Sequence, residues 1–126
     1  MKISIISLNN LKQIKQELRR IGVDKSGIEI MAFKALFRIV KLEKIKTEAA
    51  NILKQEALSL GADAAVHREV ISGKIRQTDC LLMATIEQLK KLCAKLGKQP
   101  FGLAEIGKKI TDITDTSLYS IYTSEI

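Results

Sequence analysis

The stretch DCLLMATIEQLKKLCAKLG, Asp79–Gly97, decides the fold most clearly. Five of its first six residues are apolar, which is typical of a strand near the centre of a sheet. Thr85 and Gln88 then have the spacing of a capping box, and apolar residues recur at helical spacing as far as Gly97. The sequence therefore predicts a central strand over 79–84 that leads directly into an amphipathic helix.

The rest of the chain alternates between strand-like and helix-like segments. β-Branched and apolar runs predict strands, and apolar residues three or four apart predict helices between polar caps and glycines. Predicted strands cover Lys2–Leu8, Ile28–Ile30, Phe37–Leu42 and Ala64–His67, and predicted helices run from Asn10 to Gly22, from a Thr47 cap to Gly61, and through Leu103–Ile113. A polar loop with Ser72-Gly73 near its centre follows the fourth of these strands.

This alternation favours an α/β domain of two or three layers, with a mostly parallel sheet of about four to five strands flanked by helices. We expect residues 1–110 to form that single domain. Residues 111–126 are rich in Ser, Thr and Asp and are expected to form a C-terminal tail, or an edge strand through Leu118–Tyr122.

Composition excludes several classes of protein. No apolar run approaches the roughly 20 residues of a membrane span, and the first residues do not have the pattern of a secretion signal, so we expect a cytoplasmic protein without a membrane partner. Cys80 and Cys93 lie in apolar patterns, as expected of reduced, buried thiols.

The sequence predicts no metal and no cofactor. The two cysteines and the single histidine, His67, are too few and too scattered for a four-ligand metal site. No glycine-rich phosphate-binding motif is present either.

Five polar residues are candidate ligand or partner contacts. Asn51, Lys54 and Gln55 lie at i, i+3 and i+4 and share one helix face, which either binds a ligand or partner or is simply solvated. His67 and Arg68 follow a predicted strand, where α/β folds often place ligand crevices, although a lone histidine is also commonly incidental.

The net charge of +7 suits an anionic ligand or nucleic acid. Nucleic-acid modules usually add stacking aromatics or a recognition motif, and only 4% of these residues are aromatic. Nucleic acid is therefore a disfavoured partner.

Seven stretches in a fixed order resemble the N-terminal extension ahead of the catalytic barrel in some bacterial dihydropteroate synthases. They lie within residues 10–110 and comprise Ile21–Asp24, Gly27–Ala32, Lys34–Arg38, Ala49–Glu56, Gly61–Val66, Leu81–Thr85 and Gln99–Leu103. Each stretch alone is a weak signal, and their common order makes the resemblance fairly specific.

The resemblance has clear limits. Phe33 stands where the family usually has proline, and Ala62 and Ala84 stand where it usually has glycine. The family's chemistry belongs to a (β/α)8 barrel of about 250 residues, which 126 residues are too few to form. Its catalytic Asn-x-Thr-Pro loop has no counterpart, because the single proline, Pro100, follows Gln99.

The resemblance therefore implies a non-catalytic accessory or interaction domain linked to dihydropteroate and folate synthesis, with no catalytic residue carried over. Its expected partner is a dihydropteroate synthase-type barrel, in cis or in trans, or a second copy of the chain. The alternatives are a module that binds a pterin or another anionic metabolite and, third, a nucleic-acid-binding protein.

Overall fold

The computed structural model describes residues 1–120, which contain five helices and three strands. The helices are α1 (Leu11–Ile21), α2 (Lys25–Ala35), α3 (Thr47–Ser59), α4 (Ile86–Leu96) and α5 (Leu103–Ser117), and the strands are β1 (Phe37–Lys46), β2 (Asp63–Val66) and β3 (Gln77–Thr85). The strand predicted from the Asp79 stretch is confirmed as the centre of the sheet, because the strand order is β1-β3-β2.

The prediction of a mostly parallel sheet of four to five strands is wrong for the described residues. Both outer strands pair with β3 in the antiparallel sense. β1 and β2 run parallel to each other on either side of β3, and α3 crosses over between them, which makes a split β-α-β unit. The direction reverses at β3 because residues 67–76, which join it to β2, form a loop rather than a crossover helix.

Two predicted strands are not strands in the structure. Ile28–Ile30 belongs to α2, where the Asp24 side chain caps the helix by accepting from the Gly27 N–H, and Ile28 and Ala32 are buried together one turn apart. A three-residue alternation fits either structure, and here the cap and the i, i+4 spacing favour the helix. Lys2–Leu8 has no regular secondary structure and is not part of the sheet.

Helix caps are mostly as predicted. Asn10 caps α1 by accepting from the Gln13 N–H, and Thr85 forms the full capping box with Gln88. Thr47 is not a cap, contrary to the prediction, because it is the first residue of α3 and its hydroxyl donates to the Ile75 carbonyl at 2.6 Å.

The helices cover one face of the sheet. Alternate residues of β3, Cys80, Leu82 and Ala84, are buried beneath α3 and α4. α2 and α5 pack on α4, and α1 packs on α2. α5 continues to Ser117, so residues 111–117, predicted as tail or edge strand, are helical. The predicted strand Leu118–Tyr122 extends outside the described residues.

Candidate docking surface on the sheet

The side of the sheet opposite the helices is exposed and apolar. Phe37 and Ile39 of β1 are 52% and 63% exposed, and Leu81 of β3 is 42% exposed. Met83 lies directly across from Ile39 in the ladder, and Ala65 of β2 lies across from Leu81. We call these five residues the open sheet face.

An apolar sheet face of this kind normally packs against a second layer. The exposed side of a one-sided antiparallel sheet is otherwise polar, with clean alternation along each strand. Here charged side chains such as Lys41, Asp63 and Asp79 flank the apolar residues on the same side. An apolar centre with a charged rim is the usual composition of a protein-binding surface.

Arg38, on the helix side of β1, ties three parts of the chain together at one end of the sheet. Its Nη2 donates to the Ser117 carbonyl at 2.8 Å and to the Asn9 carbonyl at 2.9 Å, and its Nε donates to the Ser117 hydroxyl at 3.2 Å. Partial burial lowers the pKa of the Arg38 guanidinium. The Leu11 N–H also donates to the Leu118 carbonyl at 2.8 Å, so the start of α1, the end of α5 and the start of β1 meet here.

Two of the predicted ligand residues on α3 make internal contacts. The Asn51 side-chain amide donates to the Val70 carbonyl at 3.3 Å, and Lys54 Nζ contacts the Ala64 carbonyl at 2.8 Å and the Asp63 carboxylate at 3.2 Å. The Ala64 N–H, followed by Lys54, lowers the pKa of Asp63. These contacts hold α3 to β2 and to the loop after it, whereas Gln55 is exposed.

His67 and Arg68 are exposed at the start of the 67–76 loop. The His67 N–H donates to the Thr78 hydroxyl, and His67 Nδ1 accepts from the Glu69 N–H, each at 3.0 Å. His67 also lines an open depression, together with Lys44, Gln77, Thr78 and Asp79. Asn51 contacts this loop, but Lys54 contacts the other end of β2, so the five predicted residues do not converge on one site.

The thiols are poorly suited to chemistry. Burial raises the pKa of Cys80 to about 11, and burial also raises the pKa of Cys93, so both are protonated at neutral pH. Within residues 1–120 no group of His, Cys, Asp and Glu side chains is arranged to hold a metal ion. No helix among the same residues is both long and apolar enough to cross a membrane.

Sequence reasoning missed both the open sheet face and Arg38. The apolar residues of β3 predict burial of both faces of the strand, but the helices cover only the face of Cys80, Leu82 and Ala84. The sequence alone does not indicate which of two apolar faces the helices will cover. The alternation of Phe37 and Ile39 with Arg38 and Val40 was the available signal for a two-sided strand.

Comparison with known proteins finds relatives among larger folate enzymes. The chain is 36% identical over 109 residues to a probable bifunctional folylpolyglutamate synthase/dihydropteroate synthase of Halobacterium salinarum. It is 33% identical over 106 residues to a bifunctional dihydropteroate synthase/dihydropteroate reductase of Helicobacter pylori. These matches cover 83% and 84% of this chain, but the chain spans only 13% and 28% of the two proteins.

A third relative, from Haloferax volcanii, is also a probable bifunctional folylpolyglutamate synthase/dihydropteroate synthase, and this chain is 31% identical to it over 72 residues. No family model matches the chain, and no solved structure matches it. The chain is thus similar to a small part of bifunctional enzymes that are named for dihydropteroate synthase.

Proposed function

We propose that this chain is a non-catalytic accessory domain of a dihydropteroate synthase-type protein, and that its open sheet face packs against the catalytic barrel in cis or in trans. The exposed apolar side of the three-stranded sheet is the observation that carries the proposal. The similarity to one part of two bifunctional enzymes supports the choice of partner, because in those proteins the matched part belongs to the same chain as the named activities.

A barrel of this class offers a suitable surface. Its eight strands are enclosed by an outer ring of helices, and a sheet face and a helix layer are complementary packing partners. A helix with an apolar stripe between charged residues would cover Phe37, Ile39 and Leu81, and its charges would meet Lys41 and Asp79 at the rim. The helices α3 and α4 already cover the other side of the sheet in the same way.

The chemistry of the described residues supports action by contact. Both thiols are held protonated, and the polar groups of Asn51 and Lys54 are bonded to main-chain carbonyls. His67 Nδ1 accepts the Glu69 main-chain N–H, so one of its two ring nitrogens already has a main-chain partner. A contribution to synthesis would then come through the stability or the activity of the partner.

Titration calorimetry tests the proposal. The partner is the Helicobacter pylori relative after deletion of its matched segment, and the ligand is this chain. We expect this chain to bind the partner. The double substitution Phe37→Ser with Leu81→Ser should weaken that binding at least tenfold, because it removes two apolar side chains that the partner would cover.

The control is Leu58→Ser, which removes a side chain of similar exposure (50%) from α3, away from the open sheet face. Equal weakening by the control and the face variant would contradict docking through this face. Absence of binding, together with unchanged turnover of the partner, would contradict the accessory role itself.

A further inference from the structure

The segment Lys2–Leu8, here called the N-terminal arm, has strand-forming sequence but no strand partner in the described structure. Ile3 is 83% exposed and Ile5 is fully exposed, although four of its seven residues are isoleucine or leucine. Burying an aliphatic side chain of this size is strongly favourable, so a segment with several of them in the open is expected to pair with another surface.

The outer edge of β1 is the matching surface. The Leu36 carbonyl accepts from the Ile86 N–H at 2.9 Å, one residue before β1 begins, and this bond fixes the phase of the ladder. Hydrogen-bonded pairs alternate in antiparallel sheets, so Arg38 and Val40 direct their main-chain groups toward β3. Phe37, Ile39 and Lys41 direct theirs outward, where a further strand can pair.

The end of the arm next to α1 is held in a fixed place. The Asn9 carbonyl accepts from Arg38 at the start of β1, and the Asn9 N–H donates to the Gln13 side chain at 2.8 Å. Leu8 packs against the core on the helix side. Alternation along an added strand would put Ile3 and Ile5 on one side of the sheet and Ile6 on the other, so that each side gains aliphatic surface.

We propose that two copies of this chain exchange their N-terminal arms, each arm adding as a fourth strand to the β1 edge of the other copy. A second copy is the favoured occupant because the arm forms no ladder with its own sheet, and Ile3 and Ile5 remain uncovered within their own chain. Exchange is symmetric and pairs the β1 edge of each copy at the same time. It leaves the contacts of Asn9 unchanged in both copies. It uses the edge of β1 rather than the open sheet face, so it holds or fails independently of docking to a barrel.

Sedimentation velocity on the 126-residue chain tests the exchange. We expect a concentration-dependent dimer. Ile39→Pro removes an outward N–H without removing a bond to β3, and should therefore abolish the dimer while the domain stays folded, as checked by circular dichroism. Ile3→Ser with Ile5→Ser should raise the dimer dissociation constant at least tenfold, and these exposed changes cannot unfold the core. Leu58→Ser is the control and should leave the dimer intact.

Complementation separates exchange from pairing within one chain. The Ile39→Pro variant has a normal arm and a blocked edge, whereas the Ile3→Ser, Ile5→Ser variant has a normal edge and a defective arm. A mixture of the two should form a heterodimer with one good arm–edge contact, although each alone is monomeric. A wild-type chain that stays monomeric up to its highest soluble concentration, or a dimer indifferent to both variants, would overturn the proposal.

Discussion

Replacing Arg38 with alanine is expected to destabilise the protein where β1, α5 and the segment before α1 meet. The side chain donates four hydrogen bonds, to the Ser117 carbonyl, the Ser117 hydroxyl, the Asn9 carbonyl and the Phe37 carbonyl, at 2.8 to 3.2 Å. Ser117 is buried, whereas the bonds to Asn9 and Phe37 are at the surface. Most of the stabilisation that the substitution removes therefore comes from the bonds to Ser117.

The magnitude follows from that difference in burial. A buried acceptor that loses a charged donor costs roughly 1–3 kcal/mol, because water replaces the donor poorly. The surface carbonyls recover water and add about 0.5 kcal/mol each at most. We expect Arg38→Ala to lower the free energy of unfolding by about 1–4 kcal/mol. Arg38→Lys, which keeps the charge but has fewer donors, should lower it by about half as much.

Urea unfolding followed by circular dichroism measures this effect. Arg68→Ala is the matched control, since it removes an exposed arginine and should change stability by less than about 0.5 kcal/mol. Amide exchange near Ser117 and Leu118 should also accelerate in Arg38→Ala. An Arg38→Ala protein as stable as Arg68→Ala would refute the assignment of Arg38 as the tie between these segments.

Two further effects follow from single residues. Burial raises the pKa of the Cys80 thiol from its ordinary value of 9.0 to about 11. The free energy of unfolding should therefore fall by roughly 2 kcal/mol as pH rises from 9 to 11, because the thiol of the unfolded chain ionises first. Urea unfolding at intervals across this range should show a smaller decline in Cys80→Ala, and an identical decline would contradict the assignment. Lys44→Gly should raise stability by up to about 1 kcal/mol, since Lys44 has φ of +56° at a β-bulge. Lys41→Gly, in the regular part of β1 where φ is not positive, should instead lower it by about 0.5–1 kcal/mol. Thermal denaturation that ranks the two the other way would count against strain at Lys44.

Local signals in the sequence predicted four of the five described helices, and α2 was the exception. Asn10, Thr85 and Gln88 act within three residues of themselves, so the caps of α1 and α4 are readable without knowledge of the fold. The segments of all three strands were also predictable, as was the central place of β3, whose apolar run demands burial.

Long-range pairing was not predictable in the same way. The direction of the strands depends on whether each connection is a helix or a loop, and the Ile28–Ile30 alternation fits both a strand and a helix. Arg38 bonds to Ser117, 79 residues away, and no local pattern marks such a contact. The polar face of α3 was predictable from the sequence. The main-chain carbonyls that Asn51 and Lys54 contact could be identified only from the folded structure.

Hydroxyl-radical footprinting tests the docking of the open sheet face most directly, because it reports the exposure of individual side chains. In a mixture with a dihydropteroate synthase barrel, Phe37, Leu81 and Met83 should become several-fold less reactive than in the free chain. Met31 and Phe101, which are about as exposed but lie outside this face, should keep their reactivity. Unchanged reactivity of the first group in a mixture that demonstrably contains the complex, or protection confined to the second, would contradict the account.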